Sequence, residues 1–497
     1  MNIPLHRLRK ITHLRTSPAQ PIALLLALAL VCVFVNHLPG AWAQNQTSFV
    51  PGRAREKSLD FVPGELLVRF RSGTTNARTK TRASFNVTAT PARTLRVEVN
   101  HFGGSDLVDG LMLARVAPED TLVAVKALRV RSDVVYAEPN YIRHLDAVPN
   151  DPRYNDLYAL HDGSVGGPAI SAESAWNTTT GSSNVVVGVI DSGIDIEHKD
   201  LKDNIFVNPG EIPGNNIDDD NNGFIDDVNG WDFVNHDRTV FDNANDDAHG
   251  THVAGTIGAR GNNSTGVVGV NWNVQLLPMK AIGPLGGSDS TLMEAYNYAR
   301  MMKQRGVNLR VLNNSYGGQR FSQSLGDAIK QLSDAGILFV AAAGNESVDN
   351  DFVQHYPAGY DLPNVISVAA STKFGSFASL FSNKGKQTVH LAAPGDEVLS
   401  TTPRGYADDG LVAAYTDADG STYSNFSGTS MASPHVAGAA ALACAANPNI
   451  SMDHLRTVLL SSVDENGNFA SQVMTAGRLT PTERSNMHRR MTLPRPQ

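Results

Sequence analysis

Val185-Val-Val-Gly-Val-Ile-Asp-Ser-Gly-Ile-Asp195 is an apolar, β-branched run that stops on a carboxylate. It is too short for a buried helix and too continuously apolar for a strand with one wet face, so it reads as a strand covered on both sides. Similar runs follow at Leu276 to Ala281, Val307 to Asn313, Ile337 to Ala343 and Val365 to Ala369. Between them, Leu292 to Gln304 and Ser324 to Ala335 have helical apolar spacing. Strand and helix in alternation predict an α/β fold of three layers, a central parallel sheet flanked by helices. In such sheets ligands bind beyond the carboxyl ends of the strands, which directs attention to Asp191.

Composition narrows the classes around this core. The chain has 497 residues, 41% hydrophobic and 18% charged, with 43 Gly and 25 Pro, which excludes a disordered, collagenous or coiled-coil protein. Its two cysteines, Cys32 and Cys444, exclude a disulfide framework and a zinc finger. Residues 1–146 carry 19 Lys and Arg against 11 Asp and Glu, while the net charge of the whole chain is -8. The remainder is therefore strongly acidic, which argues against nucleic acid as a partner and favours divalent cations.

Upstream of the core, Arg7, Arg9, Lys10 and Arg15 precede an apolar run from Ile22 to Val35 and then Ala41-Trp-Ala43. That is the pattern of a secretory signal peptide over residues 1–43, shorter than the ~20 apolar residues of a membrane-spanning helix. Residues 44–60 read as a linker. From Phe61 a small α+β unit extends to 146, with strands at Glu65 to Phe70, Leu111 to Val116 and Val134 to Tyr141 and a helix at Thr121 to Arg131. The α/β domain spans 147–480. The basic, Pro-containing tail, 481–497, reads as disordered.

Three stretches carry chemistry. Asp191 ends the first core strand. His249-Gly-Thr-His-Val-Ala-Gly255 opens a helix of small residues; its two histidines lack the H-E-x-x-H spacing of a zinc site, so a base at the helix start with a buried second histidine fits better. In Gly428-Thr-Ser-Met-Ala-Ser-Pro434, Ser430 falls at a helix start and Pro434 is tolerable while the helix is in its first turns. A helix start offers free N–H groups and a positive dipole end to a developing oxyanion. Taken singly, each residue also reads as a cap or turn.

Together the three occur in the order Asp, His, Ser of the subtilisin triad, and residues from about 150 to 480 resemble the subtilases, subtilisin-like serine endopeptidases. The resemblance implies a subtilisin-like fold in which Asp191, His249 and Ser430 form the triad. It places Asn345, at the end of Val340-Ala-Ala-Ala-Gly-Asn345, as the oxyanion donor. Substrate would lie along Ser315, Tyr316 and Gly317, with Ala343 and Gly344 opposite. His355 would stand in the pocket wall where subtilisins commonly have Gly, narrowing it. The implied activity is hydrolysis of protein and peptide substrates through an acyl-enzyme by a secreted or cell-surface enzyme. The unit over 61–146 resembles the ferredoxin-like propeptide, an intramolecular inhibitor removed by self-cleavage between about Arg143 and Asn150, leaving a monomer.

Calcium is expected at two places. Asp218-Asp-Asp-Asn-Asn-Gly-Phe-Ile-Asp-Asp227 matches the first nine positions of an EF-hand loop, with Asp218, Asp220, Asn222, the Phe224 carbonyl and Asp226 as ligands. Asn229 replaces the bidentate Glu, and a solvated acidic loop is the alternative. Likeness to thermitase-type subtilases implies a second site at Asp151, Asp200, Asn263, Thr265 and Val267.

Overall fold

The computed structural model describes residues 61–480 except 74–82, 92, 101, 103–106, 143–146, 162–166, 408–414 and 418–419. The expected signal peptide, linker and tail lie outside the described residues. The chain divides into two compact units at Ile142/Arg143.

In the first unit, β1 (Phe61–Phe70), β2 (Ala83–Thr90), β3 (Arg93–Asn100), β4 (Leu111–Arg115) and β5 (Val134–Tyr141) form an antiparallel sheet of order β2-β3-β4-β1-β5. Helix α1 (Thr121–Arg129) packs on it through Ala124, Val125 and Leu128. The α+β class agrees with expectation. The β2–β3 hairpin was not read from the sequence, and a second helix, which a ferredoxin-like unit would have, is not among the described residues. Leu95, Val97 and Val99 alternate with exposed or half-buried residues along β3, which is the period of a strand with one buried face.

The second unit is built on β6 (Gly181–Asp191), β7 (Trp231–Asp232), β8 (Asn273–Lys280), β9 (Leu309–Asn314), β10 (Leu338–Ala342), β11 (Val365–Ser371) and β12 (Leu391–Pro394). A separate three-stranded sheet holds β13 (Val398–Thr402), β14 (Tyr415–Thr416) and β15 (Thr422–Phe426). With β16 (Val463–Glu465) and β17 (Gly477–Leu479), the large sheet has the order β16-β17-β12-β11-β10-β9-β6-β8-β7, and only the β16–β17 pair is antiparallel.

Strand β6 shows why the sheet is buried on both faces. Val185, Val187 and Val189 pack with Trp176 of α2 (Ala172–Trp176), Val253 of α3 (Ala248–Gly258) and Val436 of α6 (Thr429–Ala446). Val186 and Ile190 pack on the other side with Tyr296 of α4 (Asp289–Gln304) and Ile329 of α5 (Gln323–Asp334). A last helix, α7 (Met452–Ser461), joins the first cluster through Leu455 and Leu459. Ser288 caps α4 in a reciprocal box with Thr291, and Ser322 caps α5. No helix among the described residues is long and apolar enough to cross a membrane.

Candidate active site

Asp191 is the last residue of β6, and His249 is the second residue of α3. The Asp191 Oδ1 atom accepts from the Ser192 N–H at 2.8 Å and lies 2.7 Å from His249 Nδ1. Oδ2 is buried without a partner. The close approach has a steric origin: a Cβ on Gly250 would overlap the Gly193 carbonyl oxygen, so only glycine lets α3 settle against the end of β6. The Gly250 N–H then donates to Ser192 Oγ at 3.0 Å. Burial lowers the His249 pKa, but the charge and hydrogen bond of Asp191 outweigh it, leaving the ring above the ordinary imidazole value. The His249 side chain stays 38% exposed, against 4% for Asp191, so its other edge is open to a reactant.

His252 behaves differently, as the sequence spacing implied. Its Nε2 lies 2.9 Å from Val398 O and 3.1 Å from Ser424 O, and its ring stacks on Phe426 at 4.4 Å. Burial pushes its pKa down to about 3, so it is neutral and ties α3 to the small sheet rather than binding metal.

Ser430 is the second residue of α6, while Pro434 is the sixth and thus beyond the first turn. The missing Pro434 N–H orphans the Ser430 carbonyl. Ser315, just after β9, repairs this: its hydroxyl donates to Ser430 O at 2.9 Å. In return Ser430 Oγ donates to Ser315 O at 3.1 Å. No hydrogen bond joins Ser430 to His249 among the described residues.

Asn345 follows β10. Its Oδ1 accepts from the Thr429 N–H at 2.8 Å and the Thr429 hydroxyl at 3.0 Å. Two donors fix which end of the amide is oxygen, so Nδ2 is turned away from them and is free to donate beside the start of α6. The Gly344 N–H donates to Thr429 Oγ1 at 3.1 Å, tying this loop to that helix a second time.

The half-buried Tyr316 turns its hydroxyl inward, 2.9 Å from Asn314 Oδ1 and 2.8 Å from Tyr296 OH. His355, 5% exposed, fills the space where a side chain on Gly317 or Gly344 would stand. Its Nδ1 lies 3.5 Å from Glu346 Oε2, and burial holds its pKa below the ordinary value against the pull of that carboxylate. Glu346 was not singled out from sequence, although it directly follows Asn345.

The acidic loop is rearranged relative to expectation. Ligand-capable oxygens of Glu211, Asp218 and Asp220 lie within 4.8 Å of one another. Glu211 was missed because it lies outside the EF-like spacing; its Oε1 and Oε2 accept from the Asp220 and Asp226 N–H groups at 3.2 Å each. Asp226, expected as a ligand, is instead paired with Arg238 and accepts from the Gly214 and Asn216 N–H groups. The Asn222 oxygen accepts from the Phe224 N–H at 2.7 Å.

Asp151, Asp200, Asn263, Thr265 and Val267 do converge. The Asn263 amide and the Val267 N–H donate to Asp200 at 2.8 and 2.9 Å, and Asp151 accepts from the Asn262 N–H at 2.7 Å. The Asn263 oxygen accepts from the Thr265 N–H at 2.8 Å. Burial pushes Asp200 up to about 7 and raises Asp151, each carboxylate lacking a neighbouring cation to offset the loss of solvent.

Comparison with known proteins follows the same residues. The sequence model of the subtilase family matches residues 182–477, a span that holds Asp191, His249, Asn345 and Ser430. The chain belongs to the subtilase family. This subtilase is 33% identical over 383 residues to a thermophilic serine proteinase of Bacillus sp. (strain AK1), an alignment covering 77% of this chain and 78% of that protein. It is 31% identical over 405 residues to an extracellular basic protease of Dichelobacter nodosus, covering 77% of this chain but 63% of that one. Among solved structures, a protease of Pseudoalteromonas arctica aligns with a TM-score of 0.51 and 28% identity over 67% of this chain and 98% of the other.

Proposed function

We propose that this subtilase is a secreted serine endopeptidase that cleaves peptide bonds through an acyl-enzyme. The observation that carries the reading is the 2.7 Å Asp191–His249 hydrogen bond, which leaves the other ring edge open. With Nδ1–H held by the carboxylate, Nε2 is the basic nitrogen, the tautomer that a general base requires. In the reaction, Ser430 Oγ leaves Ser315 O, transfers its proton to His249 Nε2 and attacks the substrate carbonyl carbon. Asp191 stabilises the imidazolium that results. The carbonyl oxygen becomes an oxyanion between Asn345 Nδ2 and the Ser430 N–H, which as second residue of α6 has no acceptor within the helix. His249 gives its proton to the departing amine, and water then cleaves the ester by the same route.

Two further parts belong to this reading. The unit over 61–146 is an inhibitory propeptide, removed near Arg143 to Asn150; its basic character opposes the acidic domain, and it has a hydrophobic core of its own. Calcium binds Asp151 and Asp200 with Asn263, Thr265 and Val267, and Glu211, Asp218 and Asp220 in the acidic loop. Oxygen donors are what a hard cation takes, and the buried Asp151 and Asp200 have no cation among the described residues to offset their charge, whereas Asp220 already pairs with Arg305 at 3.1 Å. Export through the N-terminal segment agrees with the extracellular proteases among its relatives.

The test is labelling by a serine-directed fluorophosphonate together with casein cleavage, comparing wild type with Ser430→Ala. Wild type is expected to label and cleave, and the variant to do neither. An unlabelled wild type would refute the catalytic reading. N-terminal sequencing of the active form is expected to start between residues 144 and 151; retention of Phe61 would refute the propeptide.

A further inference from the structure

Lys280 ends β8 and is the register partner of Asp191 on β6; the Ala281 N–H donates to the Asp191 carbonyl at 3.0 Å. The residue is 1% exposed, and its ammonium is held by Asp247 Oδ1 and by Asp242 Oδ2, the latter at 2.8 Å. Asp247 is fully buried and occupies the N-cap position of α3, two residues before His249. Its Oδ2 accepts from the Asp242 and Asn243 N–H groups at 2.5 and 3.1 Å. The Asp247 carboxylate stands where a side chain on Gly193 would be, two residues past Asp191. Its carbonyl accepts the Thr251 hydroxyl at 2.8 Å, and that hydroxyl accepts from the Asp195 N–H at 3.0 Å.

A buried ion pair adds little net stability over an apolar pair of the same volume, because desolvation consumes much of the Coulomb gain. It does impose direction and distance. Here one charge comes from the carboxyl end of β8, which is paired with the end of β6 that carries Asp191, and the other from the N-cap of the helix whose first turn carries His249.

Resting on the catalytic reading above, we propose that Lys280 is a positioning residue: through Asp247 it fixes the start of α3 against the end of β6, and so keeps His249 Nδ1 at hydrogen-bond distance from Asp191. The charged groups facing Lys280 are Asp242, Asp247 and, from β7, Asp232. Those facing His249 are Asp191 and, on its own helix, His252.

The experiment compares full-length-derived wild type with Lys280→Met, Lys280→Arg and Asp242→Asn. Misplacement of a reacting group by about 1 Å costs on the order of 100-fold in rate. Lys280→Met is therefore expected to lose about 10- to 100-fold in kcat with KM within about twofold. Its acid limb of kcat against pH should move to lower pH as His249 loses the Asp191 interaction. Lys280→Arg should recover most of kcat. Asp242→Asn, which changes the more exposed partner, should stay close to wild type. A Lys280→Met protein with wild-type kcat and wild-type acid limb would overturn the proposal, even if it melts at lower temperature. Where Lys280→Met does not fold, Asp247→Asn keeps an acceptor without the charge and is read the same way. The downfield proton signal of His249 Nδ1–H reports the Asp191 bond independently of turnover: it should shift or vanish in the variant, and an unchanged signal refutes the positioning role. That signal decides the question even for a wild type that fails to label, an outcome that refutes the catalytic reading alone.

Discussion

In the proposed mechanism Asn345 and Asp191 each act through one oriented atom, so conservative substitutions separate geometry from chemistry. Asn345→Ala removes the free Nδ2 donor; removal of such a donor in subtilisin costs about 100- to 1,000-fold in kcat, and the same loss is expected here with little change in KM. Steady-state kinetics on a peptide anilide checks it. Asp191→Asn keeps the size of the side chain but withdraws the charge that raises the His249 pKa. His249 must be neutral to accept a proton, so activity falls as pH drops through its pKa. The variant should lose most of kcat and show its remaining acid limb at lower pH than wild type, measured as kcat/KM between pH 4 and 8. At this scale Asp191, His249 and Ser430 could be singled out because each stands at a strand end or helix start within two residues of a glycine and the three occur in the triad order, while Asn345 followed from resemblance to the family. Glu211 and Lys280 could not be. Lys280 meets Asp247, a partner far back in the chain, and Glu211 stands just before the acidic loop but outside its EF-like spacing, so no motif signals either.

Elements explain why these residues hold still. Helix α6 carries a proline where the Ser430 carbonyl needs a donor, and β9 supplies one through Ser315. Ser315→Ala leaves that carbonyl unpaired and is expected to destabilise the protein by about 1–3 kcal/mol. It also loosens the turn that presents Ser430. Denaturant unfolding checks the first effect, and an unchanged midpoint would count against the account. Strands β6 and β8 to β11 were readable as short, nearly continuous apolar runs, richest in β-branched residues in β6, whereas β7, β12 and β17 are too short to show a pattern. The small sheet was not, since β13 and β15 bury Ser400, Thr401, Thr402, Thr422 and Ser424, which hydrophobicity patterns score as surface. Those hydroxyls are satisfied by hydrogen bonds formed only in the fold, such as Ser400 Oγ to His252 O at 2.8 Å and Thr401 Oγ1 to Thr251 O at 2.8 Å.

For the whole molecule, the carboxylates at Asp151 and Asp200 couple stability to pH and, in the proposed site, to calcium. Asp200 has a folded pKa of about 7, above its ordinary value of 3.8. The folded state therefore holds its proton more tightly than the unfolded state, and without metal this group's contribution is lost as pH rises from about 4 to about 7. In the proposed site, calcium would take the place of the proton. The melting temperature in EDTA should fall over that range more steeply than in calcium, and the gap should widen toward pH 7. Asp200→Asn should flatten the EDTA curve and abolish most of the gap; an EDTA curve parallel to the calcium curve would remove Asp200 from the site.

The order of the large sheet has a temporal consequence. Its β12 strand, Leu391–Pro394, is flanked by β11 on one side and by β17, Gly477–Leu479, on the other, so the last of the described strands to be synthesised completes a sheet whose first strand begins at Gly181. Pairings between residues so far apart along the chain slow the search for the native state. Such a chain is expected to reach its native form late after synthesis, and the proposed export would act within that interval.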